Sequence, residues 1–274
     1  MAKIAAVQMA SGPNVNANLI EAGRLIAMAA GAGAQLVVLP ENFAIMGMTE
    51  KDKVSVREVD GQGPMQDFLA TQAKKHGLWL VGGTIPLVAD DANKVRGACL
   101  LIDEKGQRVA RYDKVHLFDV SVPDNGEKYI ESETVENGEQ VIVAETPFGR
   151  LGLAVCYDLR FPGIFRRMLD KGVEIIALPS AFTAITGRAH WEVLVRARAI
   201  ENLCYVVAAA QGGYHVNGRE TYGDSMVVNP WGTVLDRLPS GSGFVLAETD
   251  PAYQESVRRN FPVLEHRKIK CEMS

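Results

Sequence analysis

Apolar and polar residues alternate over Lys3–Met9 with the two-residue period of a strand. Leu19, Ile26 and Ala30 then recur at helical spacing; Asn14 or Asn16 can cap that helix, and Gly31 and Gly33 end it. Gln35–Leu39 is an apolar run of strand length that stops at Pro40, so Glu41 falls just past a strand's carboxyl end. Gly63-Pro64 opens a further helix with Met65, Phe68, Leu69 and Gln72-Ala73 on its faces and Gly77 as its stop. Leu78–Ile85 reads as strand again, and its Gly82-Gly83 pair suggests a close approach of backbone.

From residue 97 the pattern changes to hairpins. Ala98–Asp103 and Arg108–Asp113 flank the turn Glu104-Lys105-Gly106-Gln107, and Val141–Glu145 and Leu151–Val155 flank Thr146-Pro147-Phe148-Gly149-Arg150. Residues 116–140 between them form a polar, Gly/Pro-punctuated loop of a length that usually serves function. The apolar run Leu151–Val155 ends at Cys156, polar Tyr157, Asp158 and Arg160 follow, and Pro162 with Gly163–Lys171 predicts a helix closed by Gly172. A strand over Glu174–Leu178, a helix from Ala189 to about Leu203 and a strand over Tyr205–Ala210 come next. A hairpin turning at Asn229-Pro230-Trp231-Gly232 and a last strand near Phe244–Glu248 complete the pattern. Alternating βα units mixed with hairpins predict a mixed sheet, or two, covered by helices. With no linker, low-complexity tract or short repeat, residues 1–274 read as one domain.

Composition narrows the function classes. The 274 residues are 47% hydrophobic and 23% charged, ordinary globular material with enough length for a large core. A formal charge of −4 gives no reason to expect nucleic acid or an anionic membrane as partner. Cys99, Cys156, Cys204 and Cys271 are widely spaced, which argues against a disulfide framework or a zinc site. The amino-terminal alternation lacks a signal-peptide core, and no apolar run approaches membrane-spanning length. The expectation is a cytoplasmic protein without metal or cofactor.

Glu41, Lys114 and Cys156 each follow a strand, on the kind of edge where α/β sheets place their chemistry. A thiol at a strand-to-helix junction meets backbone N–H groups and a helix dipole, which lower a cysteine pKa and hold an oxyanion. Thiol chemistry on a carbonyl needs a base, a cation for the developing charge and a proton for the leaving nitrogen; Glu, Lys and Cys together supply these. Each has a plainer reading: a buried inert thiol, a capping carboxylate, a solvated ammonium. A Cys–His pair through His116 or His190 also remains open on spacing alone.

Three ordered blocks resemble a known family: Leu39-Pro40-Glu41-Asn42, Tyr112-Asp113-Lys114-Val115-His116-Leu117-Phe118 and Gly152-Leu153-Ala154-Val155-Cys156-Tyr157-Asp158-Leu159-Arg160-Phe161-Pro162. They are similar to the signature blocks of the nitrilase superfamily of carbon–nitrogen hydrolases, over residues 3 to about 268. The resemblance implies a four-layer α-β-β-α sandwich of two mixed β-sheets flanked by helices, associating through α faces as a homodimer or higher homo-oligomer. It also implies Cys156 as nucleophile, Glu41 as general base, Lys114 as oxyanion cation, the Tyr157 N–H as second oxyanion donor and Glu131 as a positioning glutamate.

Pro179–Glu192, Arg196–Asn202 and Ser225–Gly232 resemble the Nit branch, which contains ω-amidases acting on α-ketoglutaramate and amidases acting on deaminated glutathione. Ala181–Thr186 followed by Tyr205–Gln211 leans toward the second. The resemblance thus implies a small α-keto-ω-amide as substrate. Arg160 is a candidate for a substrate carboxylate, with a salt bridge to Asp158 or a neighbour as the alternative, and Phe182 and Thr186 are candidate pocket residues. Asp224, Asn137-Gly138 and Gly163-Ile164 depart from the branch's usual histidine, Pro-Gly and Glu-Leu, and are expected to line or flank the substrate mouth. Nitrile or N-carbamoyl hydrolysis on the same scaffold is the alternative activity, and a catalytically silent binding protein the alternative class.

Overall fold

Alternate residues of the strand Ala2–Gln8 serve two different cores, because strand side chains point to opposite faces. Ile4 and Ala6 face a second sheet, where they share a core with Leu153, Ala177 and Val206. Ala5 and Val7 face helices, where they pack with Leu25, Ile26 and Leu69. The next strand repeats the division, with Leu36 and Val38 in the first cluster and Val37 and Leu39 in the second. Both faces are covered, which is why these strands read as continuous apolar runs. The computed structural model describes residues 1–121 and 128–269; Cys271 and part of the 116–140 loop lie outside the described residues.

In the first sheet, Ala2–Gln8 lies between the antiparallel Gly243–Thr249 and the parallel Leu36–Val38. Trp79–Val81 pairs parallel to Leu36–Val38, and Val95–Ile102 pairs antiparallel with Trp79–Val81, Ile85–Val88 and Arg108–Asp113. The second sheet runs Val234–Leu238, Ser225–Val228, Tyr205–Ala210, Ile175–Ser180, Gly149–Leu153 and Ile142–Thr146, its three middle pairings including two parallel ones at Ile175–Ser180. Helices Val15–Gly31 and Pro64–His76 cover the first sheet, and Pro162–Asp170 and Ala184–Asn202 cover the second. The expected sandwich of two mixed sheets between helical layers is what the chain forms.

Several expected boundaries move. The strand expected over Leu78–Ile85 is two strands, because Gly82 packs against Leu69 and Gly83 turns with φ +54°. The run Leu151–Val155 pairs only to Leu153, and Cys156–Arg160 is a 3₁₀ turn before the helix that starts at Pro162. The helix expected from Ala189 begins at Ala184, where the Thr183 side chain caps the Thr186 N–H; Gly187 stays helical because it lies against Tyr222. The polar loop contains the short hairpin Asp119–Ser121/Lys128–Ile130 and the 3₁₀ turn Glu131–Glu133. A closing helix, Pro251–Asn260, was not expected; Asp250 caps it, and its Gln254 and Arg258 donate to the Leu203 carbonyl.

The two sheets meet at the rim where their parallel strands end. Met9 bridges to Gln211, with Gly212 N–H donating to the Met9 carbonyl at 2.8 Å. Gln211 Nε2 donates to Ser11 Oγ at 2.8 Å and to the Glu41 carbonyl at 3.0 Å. Beside it, a Cβ at Gly83 would stand 2.1 Å from the Pro40 carbonyl oxygen. Gly83→Ala is therefore expected to destabilise the protein by more than about 1 kcal/mol and displace Glu41. Urea unfolding checks the first effect, and amide turnover per folded molecule checks the second.

Candidate active site

Five strand ends converge at this rim. Glu41 follows Leu36–Val38 after Leu39-Pro40, and the N–H of the next residue, Asn42, donates to Thr84 Oγ1 at 2.8 Å. Lys114 follows Arg108–Asp113 and is fixed on both sides, donating its N–H to the Gly97 carbonyl and accepting from the Gly138 N–H. Gly138 is required there, since a Cβ would stand 2.2 Å from the Asp113 carbonyl. Cys156 follows Gly149–Leu153 with φ +46°, a left-handed conformation uncommon outside glycine that turns the thiol off the strand line. Ala181 and Gln211 follow the neighbouring strands Ile175–Ser180 and Tyr205–Ala210.

Lys114 Nζ lies 2.8 Å from Glu41 Oε1 and 2.9 and 2.8 Å from the two oxygens of Glu131. Lys114 and Glu41 are only 2% and 4% exposed, so these charges are tolerated because they are paired. Burial alone would depress the ammonium, but Glu131 and Glu41 outweigh it and hold Lys114 well above the ordinary lysine value. Burial raises Glu131, and Lys114, Lys53 and the Phe118 N–H at 2.7 Å more than reverse that, leaving its carboxyl below the usual range. Cys156 is 7% exposed, accepts from the Ala181 N–H at 3.5 Å and has Glu41 as a hydrogen-bond partner. Burial and the Glu41 charge push the thiol well up, against the weaker pull of Lys114 and the Ala181 N–H. The expected thiolate-favouring setting is thus not what the site provides: burial and the Glu41 charge outweigh Lys114 and the Ala181 N–H, and the thiol holds its proton more tightly than a free cysteine does.

Asp158 anchors the turn that presents the thiol. Fully buried, it accepts from the Val155 N–H at 2.8 Å, the Tyr112 hydroxyl at 2.6 Å, and the His116 N–H and Nδ1 at 3.1 and 2.7 Å. His116 also stacks on Phe161 with centroids 3.8 Å apart. His116 therefore serves the carboxylate under the turn, and His190 Nδ1 lies 3.1 Å from Arg160 Nη1; neither forms a pair with the thiol. Tyr157 follows Cys156 in the first turn of the 3₁₀ segment, where N–H groups lack acceptors within the helix.

A cavity of about 370 Å³ opens over Cys156, lined by Glu41, Lys114, Glu131, Tyr157, Arg160, Phe182 and Thr186, all of them expected from sequence. The alternative salt bridge from Arg160 to Asp158 is not formed. The guanidinium instead lies 5.0 Å from the Phe182 ring centroid and 5.8 Å from that of Tyr157. Asp224, Asn137 and Gly163 do not line the cavity. Asp224 is held by Arg237 at 2.9 and 2.6 Å, the Asn137 carbonyl accepts from Arg96, and Gly163 is the second residue of the helix Pro162–Asp170. Sequence reasoning missed Glu50, Lys53 and Arg219 on the cavity wall, and the Tyr112–Asp158–His116 network beneath it. The only available signal for that network was the position of Tyr112 and His116 within the same block as Lys114. No cluster of three or more potential metal-ligating side chains is present among the described residues.

A family model described as carbon-nitrogen hydrolase matches residues 3–259. A deaminated glutathione amidase of Synechocystis is 44% identical over 266 residues, covering 96% of this chain and 97% of its own. The crystal structure of the Caenorhabditis elegans NitFhit protein superposes with TM-score 0.89 and 38% identity, covering 98% of this chain and 66% of that longer one. Saccharomyces cerevisiae Nit3, a member of branch 10 of the nitrilase superfamily, superposes with TM-score 0.88 and 32% identity over 98% of this chain and 97% of its own.

The raised thiol sets a pH expectation. A group whose acid form is favoured keeps its proton past its ordinary value, so Cys156 should remain largely protonated near pH 9, where a free thiol of pKa about 8.5 is mostly ionised. Thiolate absorbance near 240 nm, taken as the difference from Cys156→Ser across about pH 7 to 9, should show no step.

Proposed function

The chain belongs to the carbon–nitrogen hydrolase family, and on that premise we propose that it is a cysteine-dependent amidase acting on deaminated glutathione through a thioester. It is a hydrolase of carbon–nitrogen bonds other than peptide bonds. The observation that carries the mechanism is the meeting of Cys156, Glu41 and Lys114 in one buried cluster at the floor of a cavity. Glu41 takes the proton of Cys156 as the sulfur attacks the amide carbon, so no free thiolate need exist beforehand. The oxyanion is received by Lys114 Nζ and the Tyr157 N–H. Three carboxylate oxygens, one of Glu41 and both of Glu131, lie within 3 Å of the ammonium, so the substrate oxygen takes over a donor that now serves the second oxygen of Glu131.

The tetrahedral intermediate collapses by breaking the carbon–nitrogen bond, and the amine leaves with the proton held on Glu41. Water then enters, Glu41 takes one of its protons, hydroxide adds to the thioester and Cys156 leaves, recovering its hydrogen. Glu131 holds Lys114 in place, with both of its oxygens on the ammonium. Arg160 pairs with the carboxylate of the 2-oxo acid, and Phe182 and Thr186 border the acyl chain. The naming of relatives supports deaminated glutathione as the substrate, and the Arg160 guanidinium facing the cavity over Phe182 suits an anionic acyl group.

We further propose a homodimer formed through the helical face carrying Ile185, Val193 and Ile200, which are exposed on the helix Ala184–Asn202. A cytoplasmic setting fits the free thiols at Cys99, Cys156 and Cys204. Light scattering in solution should give twice the 29.8 kDa chain mass, and a single-chain mass would refute the dimer.

The catalytic assignment is tested by intact-mass spectrometry after mixing with deaminated glutathione and quenching. Wild type should release cysteinylglycine and pass through an acyl adduct. Glu41→Gln should fold and form no adduct, because an amide cannot accept the thiol proton. Glu131→Gln should still acylate while turning over slowly. An adduct accumulating in Glu41→Gln, with none in Glu131→Gln, reverses the two roles, and failure of wild type to cleave any amide returns the chain to the silent-protein reading.

A further inference from the structure

Arg219 is a cation on the cavity wall that the reaction does not use. It precedes the strand Glu220–Tyr222, which pairs with Gly212–Tyr214 to form a hairpin folded over the rim. The hairpin is fastened to the site rather than resting on it. Tyr222 N–H donates to the Phe182 carbonyl at 2.9 Å, and His215 bonds to the Ser11 carbonyl and to Thr221 Oγ1 at 2.8 and 2.7 Å. Asn217 donates to the Gly47 carbonyl and accepts from the Arg219 N–H. Arg219 Nη2 donates at 3.1 Å to the carbonyl of Ala181, the residue whose N–H reaches the Cys156 sulfur. The guanidinium stands 5.0 Å from the Tyr129 ring centroid.

Its charge has no carboxylate in direct contact among the described residues and meets that of Glu50 only at longer range. Glu50, the nearby cavity carboxylate, is paired with Lys53 at 2.7 Å, and no carboxylate lies within ion-pair distance of Arg219 among the described residues. Its Nε is buried without a hydrogen-bond acceptor. A prefolded guanidinium with unused donors at a cavity wall is arranged for an anion that arrives with the ligand. Arg160 and Arg219 occupy different walls, one against Phe182 and Tyr157, the other against Tyr129 and the Glu50 side. From Arg219 the contacts run through Ala181 to the Cys156 sulfur, and Arg160 closes the 3₁₀ turn that Cys156 opens.

Resting on the substrate reading above, we propose that Arg219 receives the carboxylate of the leaving group and so selects amides whose amine portion is anionic. Deaminated glutathione carries two carboxylates, one on the 2-oxo acyl side and one on the terminal glycine, with the scissile amide between them. Arg160 takes the first and Arg219 the second, and the amide carbon is drawn to Cys156. α-Ketoglutaramate has only the first carboxylate, because its leaving group is ammonia. Arg219 is thus a specificity-determining residue for the amine side, with no part in proton transfer.

The test compares kcat/KM for deaminated glutathione, its glycine-carboxamide analogue and α-ketoglutaramate in wild type, Arg219→Gln and Arg219→Lys. In wild type, capping the glycine carboxylate should lower kcat/KM by about tenfold or more, the size expected for loss of a charge-assisted pair. Arg219→Gln should lose a similar factor on the acid and no longer distinguish acid from carboxamide, and its preference for deaminated glutathione over α-ketoglutaramate should fall by the same factor. Arg219→Lys should fall between the two. An Arg219→Gln enzyme that still distinguishes acid from carboxamide as wild type does overturns the proposal, as does a wild type indifferent to the cap, a measurement that needs no variant to fold. Wild type that cleaves α-ketoglutaramate or another amide but not deaminated glutathione overturns the substrate reading, and this assignment with it.

Discussion

A lysine ammonium buried between two carboxylates and a thiol is the constraint from which the rest of the site follows. Ions out of water are tolerated only when opposite charges and hydrogen bonds replace the lost solvent. Lys114 has both carboxylates within 3 Å, and Glu131 gains a further backbone donor from Phe118. Such a cluster cannot be assembled by flexible side chains finding one another. Each member sits within three residues of a strand's end or in a short 3₁₀ turn, where the backbone is already committed, so little conformational freedom is left to lose.

The cluster also explains why the site straddles two sheets. Glu41 and Lys114 belong to the first sheet, whereas Cys156 and the N–H that meets its sulfur belong to the second. Carboxylate and ammonium on one side and thiol on the other can be brought together only at an end where both sheets finish. Burial and the Glu41 charge both raise the thiol, so the carboxylate that meets the sulfur also strengthens the sulfur's hold on its proton. Beneath it, Asp158 gathers donors from Val155, Tyr112 and His116, which ties the turn of one sheet to the segment of the other that bears Lys114.

Much of this was legible in the chain because punctuation is local. Pro40 after an apolar run marks a strand end, and a switch from Leu151–Val155 to polar residues marks another, so Glu41 and Cys156 could be placed from their neighbours alone. The roles of the two histidines were not legible, since a ring beside Lys114 in sequence can point to the sulfur or to Asp158, and only the long-range partner decides. The helix Ala184–Asn202 was expected too short because Ile185, Thr186 and Gly187 are weak helix formers; the Thr183 cap and the packing of Tyr222 on Gly187 override that preference. Arg219 was invisible for a related reason. His215-Val216-Asn217-Gly218 reads as a surface turn, and nothing within it reports that the turn is fastened to Ser11, Gly47 and Phe182.

The Gln211 side chain, which joins the Ser11 hydroxyl to the Glu41 carbonyl across the rim, has a consequence for how this protein comes apart. Local opening in proteins is confined to units whose bonds can break while their neighbours hold. Here the amide, the Met9–Gln211 bridge and the Asp158 network each span the two sheets, so parting the sheets at this rim breaks the contacts that hold Glu41 and the Cys156 turn. Opening at this rim is thereby coupled to separation of the two layers, and the two sheets loosen there as one unit.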